Sequence, residues 1–325
     1  MYVLELAGED DAFAAAEATT AATGVSVFAA GLARCRGLSG RARTLAFTHR
    51  ASELLGRTDA DVESARSLLA AATLDRTGSV AVRARDVRST TGVDTRRAER
   101  ELGSALVERG FSVDLEDPDH ELRALFSAAD GGAVCALGWL ELATERGFAA
   151  RAPTDRPFFQ PGSMDPMLAR ALVNFAGARP GAAILDPMCG TGGVLVEAGL
   201  VGARALGNDA QRKMVRGARE NLREYLGGDF AVVRGDATRL PFRDGAVDGV
   251  VFDAPYGRQS KVETHSLADL VRGALAEARR VSRGRCVLVA DRRWDEAVAD
   301  AGWSVESAFE RRVHRSLTRH VLVLA

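Results

Sequence analysis

The chain has 325 residues, with 43 Lys+Arg against 44 Asp+Glu and a formal net charge of -1. At 46% hydrophobic and 27% charged residues it has the composition of a folded globular protein rather than a disordered one. No apolar run approaches the roughly 18 to 20 residues of a membrane span, and the length suggests two or three domains, each able to bury its own core.

In chain order, Tyr2 to Leu6 is predicted as the first strand, followed by an alanine-rich helix from about Ala12 to Ala22. Strands are predicted at Val25 to Ala30 and around Thr44 to Phe47. Residues 59–72 carry a helical pattern with Asp59 or Thr58 as N-cap. Val80 to Arg85 alternates apolar and polar residues as a half-buried strand does. Asp94 caps a predicted helix to about Arg109, and Gly110 stops it. A short strand, a turn at Asp117-Pro118-Asp119 and a further strand follow, and Ala133 to Leu142 is the last strand of this half. Residues 147–163, with three prolines and little periodicity, read as a linker.

Beyond it the pattern becomes regular. Predicted are a helix at Met167 to Phe175, a strand at Ala183 to Asp186, a glycine-rich loop opening a helix, and a strand at Ala203 to Asn208. There follow a helix at Ala210 to Leu226, strands at Ala231 to Arg234 and Gly249 to Phe252, a helix at Leu267 to Val281 and a strand at Cys286 to Ala290. Alternating strands and helices imply a parallel, doubly wound sheet. Trp303 to Phe309 and Arg319 to Leu324 read as strands without a helix between them, an antiparallel hairpin at the sheet edge.

Four places carry chemistry. Asp186-Pro187-Met188-Cys189-Gly190-Thr191-Gly192-Gly193 follows a strand and opens a helix, so its backbone can approach a ligand at the helix N-terminus. It is neither a G-x-G-x-x-G dinucleotide loop nor a P-loop. Asp209 lies about 20 residues further on, where doubly wound folds set an acid on ribose hydroxyls, although it also suits a helix N-cap. Gly235-Asp236-Ala237 ends the next strand, and its carboxylate can accept from an exocyclic amine or simply make a turn. Asp253-Ala254-Pro255-Tyr256-Gly257 follows the apolar run Val250-Val251-Phe252 and is the sharpest signal. It brings together a carboxylate, backbone carbonyls and an aromatic ring, a set matched to a planar base bearing an amino group. The same turn would serve guanine N2, adenine N6 or a protein glutamine, and a non-catalytic RNA-binding module with an inactive Rossmann domain is a further reading.

Together these motifs resemble the S-adenosylmethionine-dependent amino-methyltransferases, whose Asp/Asn-Pro-Pro-Tyr turn appears here with Ala254 in its second position. With Arg156-Pro157-Phe158-Phe159-Gln160-Pro161-Gly162-Ser163-Met164 upstream and Gly257-Arg258 downstream, residues 45–325 resemble the archaeal tRNA guanine-10 N2-dimethyltransferases. Gly110 to Pro118 is similar to the core of a THUMP domain. The resemblance implies a ferredoxin-like part (1–55), a THUMP RNA-binding domain (56–146), the linker (147–163) and a Rossmann-like methyltransferase domain (164–325). It implies S-adenosylmethionine held by Asp186, Cys189, Gly190, Thr191, Gly192, Asp209, Asp236 and Ala237, with a guanine N2 of tRNA flipped onto Asp253, Ala254, Pro255 and Tyr256.

Charge supports an RNA partner. Residues 1–160 carry 19 basic and 24 acidic side chains and residues 161–325 carry 24 and 20, so the near-zero total hides halves of -5 and +4. All but two of the basic residues, Lys213 and Lys261, are arginine, a planar bidentate donor to phosphate. Arg34, Arg36, Arg41, Arg43, Arg50 and Arg57 share a stretch with a single acid, Glu53. Arg34, Arg36, Arg41, Arg43, Arg258 and Lys261 are the candidate RNA contacts. The five histidines and four separated cysteines show no metal spacing. No metal and no membrane partner are expected, and the chain is expected to be a monomer. The acidic start MYVLELAGEDD lacks a signal-peptide pattern, so a reducing cytoplasm is the expected location.

Overall fold

Tyr2–Leu6, buried along nearly its whole length, makes strand β1, and it pairs with strands on both sides in the first half. A computed structural model describes residues 1–256, 266–314 and 317–325, as two units, Met1–Glu145 and Arg146–Ala325. In the first unit β1 is followed by α1 (Asp11–Ala18), β2 (Ala22–Thr23), β3 (Ser26–Ala29), β4 (Leu32–Cys35), β5 (Gly37–Leu38) and β6 (Thr48–Asp59). Then come α2 (Val62–Ala71), β7 (Ser79–Asp86), α3 (Thr95–Val107), β8 (Ser112–Val113), β9 (His120–Ala129) and β10 (Gly132–Ala143). Eight of these strands form one sheet in the order β3-β4-β1-β6-β10-β9-β7-β8.

Helices α2 and α3 pack Ala65, Leu69, Leu102 and Leu106 on Val82, Leu122, Phe126 and Trp139 of the sheet. Asp94 accepts from the Arg97 amide at 3.0 Å and so caps α3. Asp61, not Asp59 or Thr58, caps α2, through the Ser64 amide at 2.8 Å. The twelve-residue β6, Thr48–Asp59, has no counterpart among the predicted strands. Its sequence, THRASELLGRTD, is polar and lacks clean alternation. Pairing with β1 on one side and β10 on the other, across a bulge, overrides that weak local preference. The expected division at 55/56 falls inside this strand.

The second unit contains α4 (Pro166–Phe175), β11 (Ala183–Asp186), α5 (Gly193–Leu200), β12 (Arg204–Asp209), α6 (Arg212–Leu226) and β13 (Phe230–Arg234). It continues with β14 (Gly249–Asp253), α7 (Leu267–Val281), β15 (Cys286–Ala290), α8 (Asp295–Asp300), β16 (Val305–His314) and β17 (Leu317–Leu324). The strand order is β13-β12-β11-β14-β15-β17-β16. The first five are parallel, and β17 runs antiparallel between β15 and β16. The order reverses between β11 and β14, the switch point at which open α/β sheets bind ligands. Phe252, Val250 and Leu288 from the strands meet Leu275 and Ala278 of α7 in one core layer. The predicted C-terminal hairpin is present, whereas α8 was not expected: six residues rich in acid, DEAVAD, carry too short a pattern to read.

Residues 147–163 form two single turns, Ala149–Arg151 and Pro153–Asp155, rather than a regular element. Their side chains are nonetheless fixed to the second unit. The guanidinium groups of Arg146, Arg151 and Arg170 approach the Phe148 ring to 4.9, 5.3 and 5.8 Å. Arg151 and Arg170 both pair with Glu197 of α5, each at 2.8 Å.

Candidate active site

The parallel strands carry their acids to one edge of the sheet. β11 ends on Asp186, β12 on Asp209 and β14 on Asp253, and Asp236 lies two residues past the end of β13. Asp186 is 3% exposed and accepts from the Met188 amide at 3.0 Å. Burial, aided by the negative charges of Asp209 and Asp253, pushes its carboxyl well above the usual carboxylate range. Burial also raises Asp209, although it accepts two backbone bonds. These come from Gly190 at 3.0 Å and Gln211 at 2.8 Å, so the one side chain ties the glycine loop to the start of α6.

The loop needs its glycines. Gly190 and Gly192 have φ of +49° and +78°, a region that costs other residues about 1–2 kcal/mol. Gly192 is the N-cap of α5 and supplies no capping side chain. A Cβ there would also come within 3.2 Å of Ala218 on α6. Thr191 contacts Ser163 through its hydroxyl at 3.2 Å. The buried Cys189 thiol packs with Leu195 and Val196 in a core cluster, and burial raises it well above the ordinary thiol range. Asp236 accepts from the amide and hydroxyl of Thr238 at 2.8 and 2.9 Å, the Asx-type turn that its sequence allowed. Ala237 lies in the core against Leu240.

Two asparagines lock this edge, and the sequence reading gave a role to neither. Asn208, fully buried, donates to the Pro187 and Gly235 carbonyls at 3.0 and 3.1 Å, joining the glycine loop to the turn that carries Asp236. Asn221 of α6, also fully buried, donates to the carbonyls of Phe158 and Thr191 and accepts from the Phe158 amide, all at 2.9 Å. The signal for Asn221 was available: it sits with Val215, Ala218 and Leu222 on the buried face of α6. Asn221→Ala removes three buried hydrogen bonds. It is expected to weaken cofactor binding about tenfold, near the 1.4 kcal/mol that a tenfold change represents. Isothermal titration, alongside kcat at saturating cofactor, checks that turnover falls less than binding.

At the neighbouring strand end, Asp253 and Tyr256 share a turn, and the Tyr256 hydroxyl donates to Asp253 Oδ1. Ala254 is 2% exposed, and its amide donates to the Val289 carbonyl of β15 at 2.8 Å. A proline in this position, as in the more common turn, would lack that N–H. Pro255 is half-buried. Arg319, which the sequence marked only as the start of a strand, reaches this turn from β17 and is 5% exposed. Its Nε donates to Tyr256 Oη at 3.0 Å, and its Nη2 lies 3.4 Å from Asp253 Oδ2. Burial pushes the Asp253 carboxyl up to about 6, against the opposing pull of Arg319 and the Tyr256 hydrogen bond. The same burial and the adjoining carboxylate raise the Tyr256 phenol.

The arginines proposed for RNA are divided. Arg34, Arg36 and Arg43 are exposed on β4 and the short turns that follow it. Arg41 is half-buried and donates to the Thr20 carbonyl at 3.0 Å, so part of its role is to hold its own unit. Arg258 and Lys261 lie outside the described residues. Among the described residues no group of three or more His, Cys, Asp or Glu side chains could hold a metal. No helix among them is long and apolar enough to cross a membrane.

Buried carboxylates crowded at one edge, with Asp209 and Asp253 adding their negative charge to that felt by Asp186, favour a ligand carrying positive charge. S-adenosylmethionine, with a sulfonium and an ammonium, fits that edge, and the uncapped N-terminus of α5 suits its carboxylate. The sheet and this site define an S-adenosylmethionine-dependent methyltransferase. The family model "RMKL-like, methyltransferase domain" (UPF0020) matches residues 153–321. The chain is 38% identical to the tRNA (guanine(10)-N2)-dimethyltransferase of Methanothermobacter thermautotrophicus, over 87% of this chain and 83% of that one. It is 31% identical to the Pyrococcus abyssi protein of the same name, over 76% and 74%. The crystal structure of TrmN from Thermus thermophilus shares the fold, with a TM-score of 0.50 at 24% identity, covering 99% of this chain and 98% of that one. The chain belongs to the tRNA (guanine(10)-N2)-dimethyltransferase family.

Proposed function

We propose that the chain methylates the exocyclic N2 amine of guanine 10 in tRNA, in two successive transfers. The observation that carries this reading is the Asp253–Tyr256 turn at the end of β14, beside the carboxylate-lined edge formed by β11 and β12. Family membership narrows the amine to guanine N2 and the polymer to tRNA, the substrate named for the relatives. Asp186, Asp209, Asp236 and the Gly190–Gly192 backbone would hold S-adenosylmethionine, which supplies an electrophilic methyl group. Asn208, Asn221 and Ser163 would keep those groups in register. Cys189, Thr191 and Ala237 would contribute through the backbone of their loops.

The guanine amine is a weak nucleophile because its lone pair is delocalised into the ring. Hydrogen bonds from the amine to Asp253 and to the Ala254 carbonyl favour a pyramidal nitrogen. They strengthen as positive charge grows on it, so they act on the transition state more than on the ground state. Asp253 can then take a proton from the methylated amine. Tyr256 would stack on the flipped base, replacing the stacking lost from the RNA.

The first unit would act as the ferredoxin-like and THUMP RNA-binding part, with Arg34, Arg36 and Arg43 meeting phosphates, and the chain would work as a monomer in the cytoplasm. Incubating the protein with methyl-labelled S-adenosylmethionine and unmodified tRNA transcripts, then identifying the labelled nucleoside, tests the reading. N2-methylguanosine and N2,N2-dimethylguanosine at position 10 are expected. Label in DNA adenine or in protein, or none anywhere, rejects it.

A further inference from the structure

We propose that Arg319 is a positioning residue for methyl transfer: it holds Asp253 charged and aimed through one carboxylate oxygen and leaves the other for the incoming amine. The inference rests on the reading of Asp253 as the amine's acceptor.

The topology brings Arg319 to this place. In the parallel register Asp253 lies beside Val289 of β15, and Val289 lies beside Val321 of the antiparallel β17. The beginning of β17 therefore meets the end of β14 at the same edge of the sheet. There the guanidinium makes three contacts. Nη2 faces Asp253 Oδ2 at 3.4 Å, Nε donates to Tyr256 Oη at 3.0 Å, and Nη2 also donates to the Gly162 carbonyl at 3.3 Å. Its Cζ lies 5.8 Å from the Tyr256 ring centre. One rigid fork thus fixes the acceptor, the ring meant for stacking and the segment beside the glycine loop. A planar five-donor group can do this, whereas an ammonium offers only a point charge.

The division of the carboxylate matters. Tyr256 occupies Oδ1 and Arg319 faces Oδ2. An amine that displaces the tyrosine hydroxyl from Oδ1 finds Asp253 still oriented by its other oxygen. Arg319 also opposes the burial that would neutralise the acid. From β15 the facing residue is the apolar Val289. The charge acting on Arg319 itself from α4 is Asp165, its N-cap. A protonated Asp253 carries no charge to strengthen the bond and cannot take the amine's proton, so the guanidinium sets the lowest pH at which the site works. The contact has a cost: a cation beside the acceptor lowers its basicity. Its benefit therefore lies in ionisation and orientation, and it should be largest at acidic pH.

The test is the pH dependence of kcat for the wild type, Arg319→Gln and Arg319→Lys, with cofactor affinity measured in parallel. An opposite charge at this distance lowers a carboxylate's pKa by about one unit or more. Arg319→Gln is therefore expected to move the acid limb upward by about one pH unit. Its loss relative to wild type should be about fivefold greater at pH 6 than at pH 9, with cofactor affinity unchanged. Arg319→Lys keeps the charge and should restore the acid limb while leaving a pH-independent loss. An equal loss at every pH, or no loss, overturns the proposal. Infrared titration of the protonated carboxyl, wild type minus Asp253→Asn, repeated in the Arg319→Lys and Arg319→Gln backgrounds, reads the same ionisation without RNA. A midpoint that rises with Gln and not with Lys supports Arg319 even if tRNA guanine proves not to be the substrate. An unmoved midpoint refutes it.

Discussion

Asp253→Ala is expected to lower methyl transfer by about two to four orders of magnitude, the range lost when a positioned acid–base group or a transition-state acceptor is removed. Cofactor affinity should stay within about threefold, because the carboxylates proposed to hold the cofactor end β11 and β12 or follow β13, whereas Asp253 ends β14. Single-turnover kinetics on a tRNA transcript, with isothermal titration of S-adenosylmethionine, separate the two effects. A parallel loss of binding and turnover would assign Asp253 to the cofactor instead. The pH profile adds a second check. Burial lifts the Asp253 carboxyl to about 6, so the anion required to accept from the amine predominates above that pH. Wild-type activity should therefore fall as the pH drops through about 6. Asp253→Asn, which cannot titrate, should lose that limb along with most of its rate.

The largest effect on stability is expected at Glu197. This side chain is fully buried on α5 and is held by two arginines, Arg151 and Arg170, the second of them also buried. Glu197→Ala leaves two cations without their shared anion, and breaking a buried pair in this way costs about 3–5 kcal/mol. For a unit of this size that corresponds to a fall of roughly 10 °C in Tm. Thermal unfolding followed by circular dichroism reads it directly. A change below about 1 kcal/mol would mean that water reaches the arginines once the acid is gone. Replacing both Glu197 and Arg170 with well-packed apolar residues should recover much of the loss, since the second variant strands fewer charges.

Both sites show what could be read from the linear chain. Asp186, Gly190, Gly192, Asp209, Asp236 and Asp253 were legible because the chemistry of a doubly wound sheet is concentrated at strand ends. Each strand there is a short apolar run that stops at a polar turn. Apart from the short α8, the second unit was legible for the same reason: its elements alternate regularly, each with a readable local pattern. The first unit was harder. β6 is polar and bulged, and its pairing partners β1 and β10 lie before it and about 80 residues after it, so no local window holds the reason for its existence.

Residues 147–163 read as a linker because regular periodicity is what a sequence displays, and this segment has none. Its fixed placement comes from single side chains, Glu197 and Asn221, on helices reached only after folding. Arg319 is the sharpest case. A charged residue opening an apolar run looks like a strand boundary, and nothing near it in the chain mentions Asp253, 66 residues earlier. The sequence by itself determined the class of fold, the glycine loop and the acids at the strand ends, because these depend on local pattern and on the spacing of one strand from the next. Only the tertiary structure decided which groups surround those acids. Insertion of β17 between β15 and β16, antiparallel to its neighbours, is what turns Arg319 toward Asp253. Strand order and direction are set by the packing of the whole sheet and leave no signature at either residue.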